Sequence, residues 1–291
     1  MSDLPTPSDR ILGRPMSGGR PVRKDEFELP DRGLYVESWL PERRSRRKPL
    51  LFVHGVLGGS WVWERYLHHF AARGWEGHAL NLRNHYWSQT ADPASLTIES
   101  YTEDVIAALE RLGPTTVAVG HGLGGLLVLK AIERAPVSAY VLIAPESPRE
   151  IREPARPHVV RDVPDAWGRA ELGWETLPER LIREQRDLTV ADVVRIQHLL
   201  GQKAFESGPA RRQVLQGVPV DRAALPDVPR MVIGGGLDTF VPEPEVERLA
   251  EWLDAPYEPF GAHSHYGLLL GEQSYLQVAD TLRAFLEQHR L

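Results

Sequence analysis

The sequence predicts an α/β fold: a mostly parallel sheet flanked by helices, with a helical insertion late in the chain. Three observations carry that expectation. Short apolar runs of strand type, LLFVHG (50–55), TTVAVG (115–120), AYVLIAP (139–145) and RMVIGGG (230–236), are separated by segments of helical periodicity. LLFVHG is apolar almost throughout, as a strand covered on both faces of a parallel sheet must be. Between residue 146 and about 226 the alternation breaks, and prolines, tryptophans and short amphipathic pieces take over.

The elements follow in order. Residues 1–26 are rich in Pro, Gly, Ser and charge and read as a loose arm, so the domain proper spans 27–291. FEL and GLYVESW, parted by PDR, read as an opening hairpin. PERRSRRKP (41–49) reads as a solvated basic loop. After the first buried strand, Ser60 stands where it would cap a helix, WVWERYLHHFAAR, that Gly74 would stop. GHALNL (77–82) is the next strand, and Thr97 is placed to cap IESYTEDVIAALERL. TTVAVG runs directly into HGLGG and an apolar helix, LLVLKAIERA. The insertion carries PERLIREQ and VADVVRIQHLLGQKAF and is expected on one face of the sheet. The last units are the helix PEPEVERLAEWL, a short strand at YEPF and the helix EQSYLQVADTLRAFLEQH.

Composition narrows the function. The chain has 291 residues, 42% hydrophobic and 25% charged, enough to bury a sizeable core. Its net charge of −6, with no sustained basic stripe, argues against nucleic acid as a partner. There is no cysteine, hence no disulfide, thiolate nucleophile or Cys-ligated zinc. The histidines at 68, 69, 78, 85 and 198 lack metal-site spacing on one helix, so no metal is expected. The opening MSDLPTPSDR has no apolar signal-type core, and no run approaches the roughly 20 apolar residues of a spanning helix. The expectation is a soluble cytoplasmic protein that needs no cofactor, does not bind membranes and acts on a small molecule.

Three segments follow strand ends, where parallel-sheet proteins place their sites. They are His54-Gly55-Val56-Leu57-Gly58-Gly59, Gly120-His121-Gly122-Leu123-Gly124-Gly125 and Gly235-Gly236-Leu237-Asp238. A fourth, Gly261-Ala262-His263-Ser264-His265-Tyr266-Gly267, lies between the last strand and the last helix. An acid followed 25 or 27 residues later by histidine suggests an acid–histidine pair facing a sharp glycine turn. Each segment alone has a bland reading as a turn or a cap.

As a set they resemble the α/β-hydrolase superfamily over roughly residues 27–291, and LNLRNHYWS (80–88) resembles that family's strand-four turn. The resemblance implies the α/β-hydrolase fold, with the insertion as its helical lid, and hydrolysis of an ester, thioester or lactone. It also implies that Asp238 orients a histidine, that the Val56 and Leu123 N–H groups form an oxyanion hole, and that His54, Gly55 and His121 surround the substrate. His265 is favoured as that histidine over His263. The departure is decisive: the family's elbow is G-x-S-x-G, and here Gly122 stands at the nucleophile position, where no acyl-enzyme can form. Ser60 and Ser264 lie near the site but on no elbow, so capping or loop roles suit them better.

Several readings follow. His265, held by Asp238, could act on water or move a proton in an elimination, decarboxylation or cyclisation. The site could instead be silent and bind a ligand unchanged, or the glycine could have been introduced to disable a serine enzyme. Finally, Gly120-x-Gly122-x-x-Gly125 after a strand, with Glu146 ending the next, spells the outline of a dinucleotide fingerprint. The tryptophans at 61, 63, 167 and 174 suit either a pocket wall or packing.

Overall fold

A computed structural model describes residues 22–43, 45–152, 155–171, 185–200 and 205–291. The first two strands, β1 (Val22–Leu29) and β2 (Leu34–Pro41), form the antiparallel hairpin, pairing from Val22↔Pro41 to Leu29↔Leu34. β1 begins at Val22, so residues 22–26 belong to the sheet and not to an arm as the sequence suggested. Their Lys24 reaches the buried Glu37 on β2 at 3.0 Å. β3 (Leu50–Val53) and β4 (Gly77–Leu80) run parallel to each other, and β2 is antiparallel to β4. β5 (Val117–His121), β6 (Ala139–Ile143), β9 (Arg230–Gly235) and β10 (Tyr257–Phe260) complete eight strands in the order β1-β2-β4-β3-β5-β6-β9-β10. β7 (Ala166–Trp167) and β8 (Glu206–Ser207) form a separate two-residue ribbon within the insertion.

Both faces of the central strands are buried. On β3, Leu50 and Phe52 join one core with Trp63, Tyr66 and Phe70, while Leu51 and Val53 join the other with Leu127 and Leu129. The two-residue alternation of a strand thus feeds both layers.

Helices α1 (Glu64–Ala71), α2 (Ile98–Leu112) and α3 (Leu123–Ile132) flank this half of the sheet. Thr97 caps α2 through a reciprocal box with Ser100. Ser60 does not cap α1. It opens a 3-10 turn, Ser60–Trp63, where its N–H donates to Asn81 Oδ1 at 2.7 Å and its hydroxyl to Glu37 at 2.9 Å. The buried Glu37 and Asn81 are stronger partners for Ser60 than a helix end. Gly74 takes φ 99° in the turn after α1.

The described part of the insertion holds α4 (Pro157–Arg161), α5 (Val190–Leu199) and α6 (Gly208–Gln216); most of PERLIREQ, and Trp174, lie outside the described residues. α7 (Glu243–Leu253), α8 (Gly267–Leu270) and α9 (Ser274–Gln288) close the chain. No helix among the described residues is long and apolar enough to cross a membrane.

Candidate active site

β5 ends at His121 and α3 starts at Leu123, leaving Gly122 alone to reverse the chain. Its φ of 54° and ψ of −123° form a strained turn that glycine adopts without cost. The turn is pinned on both sides: the Gly122 N–H donates to Ile143 O at 3.1 Å, and its carbonyl accepts from Gly125 at 3.0 Å and Glu146 at 2.9 Å. A Cβ on Gly124 would lie 2.3 Å from Val53 O, and one on Gly120 would lie 2.4 Å from Gly124 O. These glycines let α3 start hard against β3. Glu146, the acid of the dinucleotide outline, is paired with Arg211 at 2.8 Å and with Arg152.

The loop after β9 turns so that Asp238 Oδ1 accepts the N–H groups of Phe240 and Val241 at 2.8 and 2.9 Å. Oδ2 then meets His265 Nδ1 at 2.7 Å, with the Asp238 side chain wholly buried. The ring's other nitrogen faces the elbow: a Cβ on Gly122 would lie 3.3 Å from His265 Nε2. His263 goes elsewhere. Its carbonyl accepts from Leu237, its ring packs on Phe260 at 5.2 Å, and neither ring nitrogen has a partner among the described residues. Ser264 Oγ accepts from Gly267 N at 3.2 Å, a loop role.

His54 and His121 lie beneath these turns. His54 Nδ1 donates to Gly55 O at 2.7 Å, and Nε2 accepts from Leu82 N–H at 3.2 Å, tying the HG turn to the turn after β4. Burial, with His85 nearby, pushes the His54 ring down to about 3. His121 donates from Nε2 to His265 O at 3.2 Å; burial and the neighbouring His265 hold it well below the ordinary histidine range. Both rings are therefore neutral supports. Gly55 sits under the elbow, where a Cβ would be 3.1 Å from His121 O.

Val56 and Leu123 line one cavity of about 10 Å³, roughly the room of a single water, together with Glu146, Trp167, Glu206 and Arg211. Neither backbone N–H is taken by an acceptor among the described residues. That of Leu123 is among the four a helix leaves unpaired. Glu146 is drawn two ways: burial favours its neutral form, but Arg152 and Arg211 prevail and hold it below its ordinary value. Trp61, Trp63 and Trp167 all belong to the core, and Trp167 also forms part of the cavity wall.

One residue carried no sequence signal. Glu206, 2% exposed, reaches from the insertion to accept the Leu57 N–H and to pair with His85 Nε2 at 2.9 Å. Leu57 itself adopts φ 54°. His85 also donates from Nδ1 to Arg83 O at 2.8 Å. Burial disfavours charge on His85, but the Glu206 carboxylate outweighs it and raises the ring above its ordinary range. Among the described residues, no three His, Asp or Glu side chains gather as a metal site.

Comparison with known proteins bears on the family and the fold. The model of the alpha/beta hydrolase family matches residues 50–281. The chain belongs to that family. Among curated proteins it is similar to the esterase PIR7B of Oryza sativa subsp. japonica, 35% identical over an alignment of 113 residues, with 36% of this chain and 41% of that one covered. The chain thus spans about two fifths of the length of the curated relatives it matches. Among solved structures, a thermophilic esterase from Thermogutta terrifontis superposes with a TM-score of 0.67 at 17% identity, over 88% of this chain and 94% of the other. The thioesterase domain from the curacin biosynthetic pathway gives 0.63 at 14%, over 92% and 100%. At such identities the likeness is one of fold.

Proposed function

We propose that the chain is an enzyme hydrolysing a small ester, thioester or lactone without an acyl-enzyme intermediate. One observation carries the reading: the side chain missing at Gly122 would have stood 3.3 Å, at its Cβ, from the Nε2 of a histidine already held by Asp238. In this reading His265 Nε2 is the base, and the attacking water stands in front of it on the side of Gly122. His265 Nε2 takes a proton from that water as its oxygen bonds to the carbonyl carbon. Asp238 stabilises the imidazolium, and the Val56 and Leu123 N–H groups receive the developing oxyanion. The tetrahedral adduct collapses, His265 returns the proton to the leaving alcohol or thiol, and the acid departs. The resemblance to a plant esterase supports ester hydrolysis as the reaction class.

The test is a panel of activated esters, thioesters and lactones given to the chain and to His265→Ala. Turnover is expected in the former, reduced about 10²- to 10⁴-fold in the variant. A fluorophosphonate should leave the natural chain unlabelled yet modify Gly122→Ser, whose hydroxyl would meet His265. Equal background rates in both proteins would overturn hydrolysis, and point to a non-hydrolytic proton transfer or a silent binding site.

A further inference from the structure

The insertion runs as a splint along the loop that carries His265. Between Gln185 and Asp192 it meets that loop three times. Asp187 Oδ2 accepts the Ser264 N–H at 2.9 Å, one residue before His265. Leu188 lies where a Cβ on Gly271 would touch it, at 3.4 Å. Asp192 Oδ2 accepts the Glu272 N–H at 3.4 Å, while Arg65 of α1 stands 3.6 Å from its other oxygen. Asp187 makes the closest fit of the three. A Cβ on Gly267 would stand 1.6 Å from Asp187 Oδ2, so the carboxylate occupies the notch that this glycine leaves. Its Oδ1 is buried with no hydrogen-bond partner among the described residues. A buried carboxylate oxygen without a donor is costly, and the charge-assisted bond to Ser264 offsets that cost.

From this placement we infer that Asp187 is a positioning residue: by holding the Ser264 N–H it aims His265 at Gly122, so that docking of the insertion sets the base. The inference rests on the hydrolytic reading for what His265 does. The peptide joining His263 to Ser264 is gripped at both ends. Its carbonyl accepts from Leu237 N–H at 3.0 Å, and its N–H donates to Asp187. One bond alone would leave the plane of that peptide free to tilt, and the two together fix it. The plane sets the direction in which the chain enters His265, whose ring must meet Asp238 at 2.7 Å while its carbonyl meets His121 at 3.2 Å. Leu237, Asp238 and His121 belong to strand ends of the sheet, whereas Asp187 comes from the insertion. A reacting group misplaced by about 1 Å can cost about 10²-fold in rate.

On the ester panel Asp187→Ala should lower kcat about 10-fold or more while KM changes less than about 3-fold. Asp187→Asn, which keeps an acceptor oxygen for Ser264, should stay within about 3-fold of the natural chain. In a His265→Ala background Asp187→Ala should lower the residual rate no further, because its effect runs through that ring. Nitrogen NMR of protein labelled at histidine reads the ring without turnover, with His265→Ala identifying its signals. The Nδ1–H tautomer bonded to Asp238 should dominate in the natural chain and in Asp187→Asn, and give way to a mixture in Asp187→Ala. Gly267→Ala should act as Asp187→Ala does, since alanine suits the helical backbone at that position yet drives a methyl into the carboxylate. It carries the test should Asp187→Ala not fold. An unchanged tautomer in Asp187→Ala would overturn the inference, as would a fall in kcat that persists without His265. A chain that hydrolyses no ester fails the hydrolytic reading alone, and the tautomer still decides the role of Asp187.

Discussion

At Gly122 the backbone keeps a conformation for which the side chain has gone. A φ of 54° with ψ of −123° costs an L-residue about 1–3 kcal/mol, and families tolerate such strain where a side chain must project from a turn. With glycine the strain disappears, while the bonds to Ile143, Gly125 and Glu146 still hold the elbow in shape. Gly122→Ala should therefore do two things. It should destabilise the fold by about 1–2 kcal/mol, read as a drop of a few degrees in Tm. It should also place a methyl 3.3 Å from His265 Nε2, displace the water and bring ester turnover down to the His265→Ala level. Alanine at 122 with undiminished turnover would show that the attacking water sits elsewhere. The missing serine was legible because the elbow motif is local. The choice between His263 and His265 was legible only as a preference for His265, because two residues of spacing in a loop carry no direction. The loop's path decides it, with His263 anchored by Leu237 and Phe260 and His265 turned to Asp238.

Among the elements, α3 is the one the site depends on most, since it presents the Leu123 N–H and forms the far side of the elbow. It lies so close to β3 that a Cβ on Gly124 would strike backbone, 2.3 Å from Val53 O and 2.5 Å from His54 O. Backbone cannot rotate aside as a side chain can. Gly124→Ala should therefore cost about 3 kcal/mol or more, well beyond Gly122→Ala, in denaturant unfolding. A loss below about 1 kcal/mol would mean that α3 can lift from the sheet. Strands and helices of this layer were legible because their periodicity reports burial directly. Ser60 misled because its real partners, Glu37 on β2 and Asn81 just after β4, are remote in sequence and outcompete a local cap. Glu206 left no trace in FESGPA, because its meaning arises when the insertion folds back across 149 residues onto Leu57.

On the scale of the whole molecule, burial and pairing shift several histidines in opposite directions, and this shapes its pH response. Burial lowers His54 to about 3 and His69 and His78 to about 4, and it holds His121 well below the ordinary value. Unfolding returns each to about 6.5, so the unfolded chain binds more protons in acid. The stability these four contribute is present above about 6.5 and is lost as pH falls, by up to about 1.4 kcal/mol per pH unit for each. His85 runs the other way: burial opposes its charge, Glu206 raises it above the unfolded value, and the stability of that pair is full below about 6.5. It is lost as pH rises through the folded value. With His68, which burial and Arg73 also lower, five groups against one predict an asymmetric profile, with Tm highest near neutrality, falling steeply towards pH 5 and gently on the alkaline side. His85→Gln should flatten the alkaline limb and leave the acid limb in place. A Tm unchanged between about pH 7 and pH 5 would mean that these rings take up protons in the folded protein, and that the neutral supports beneath the elbow are not neutral.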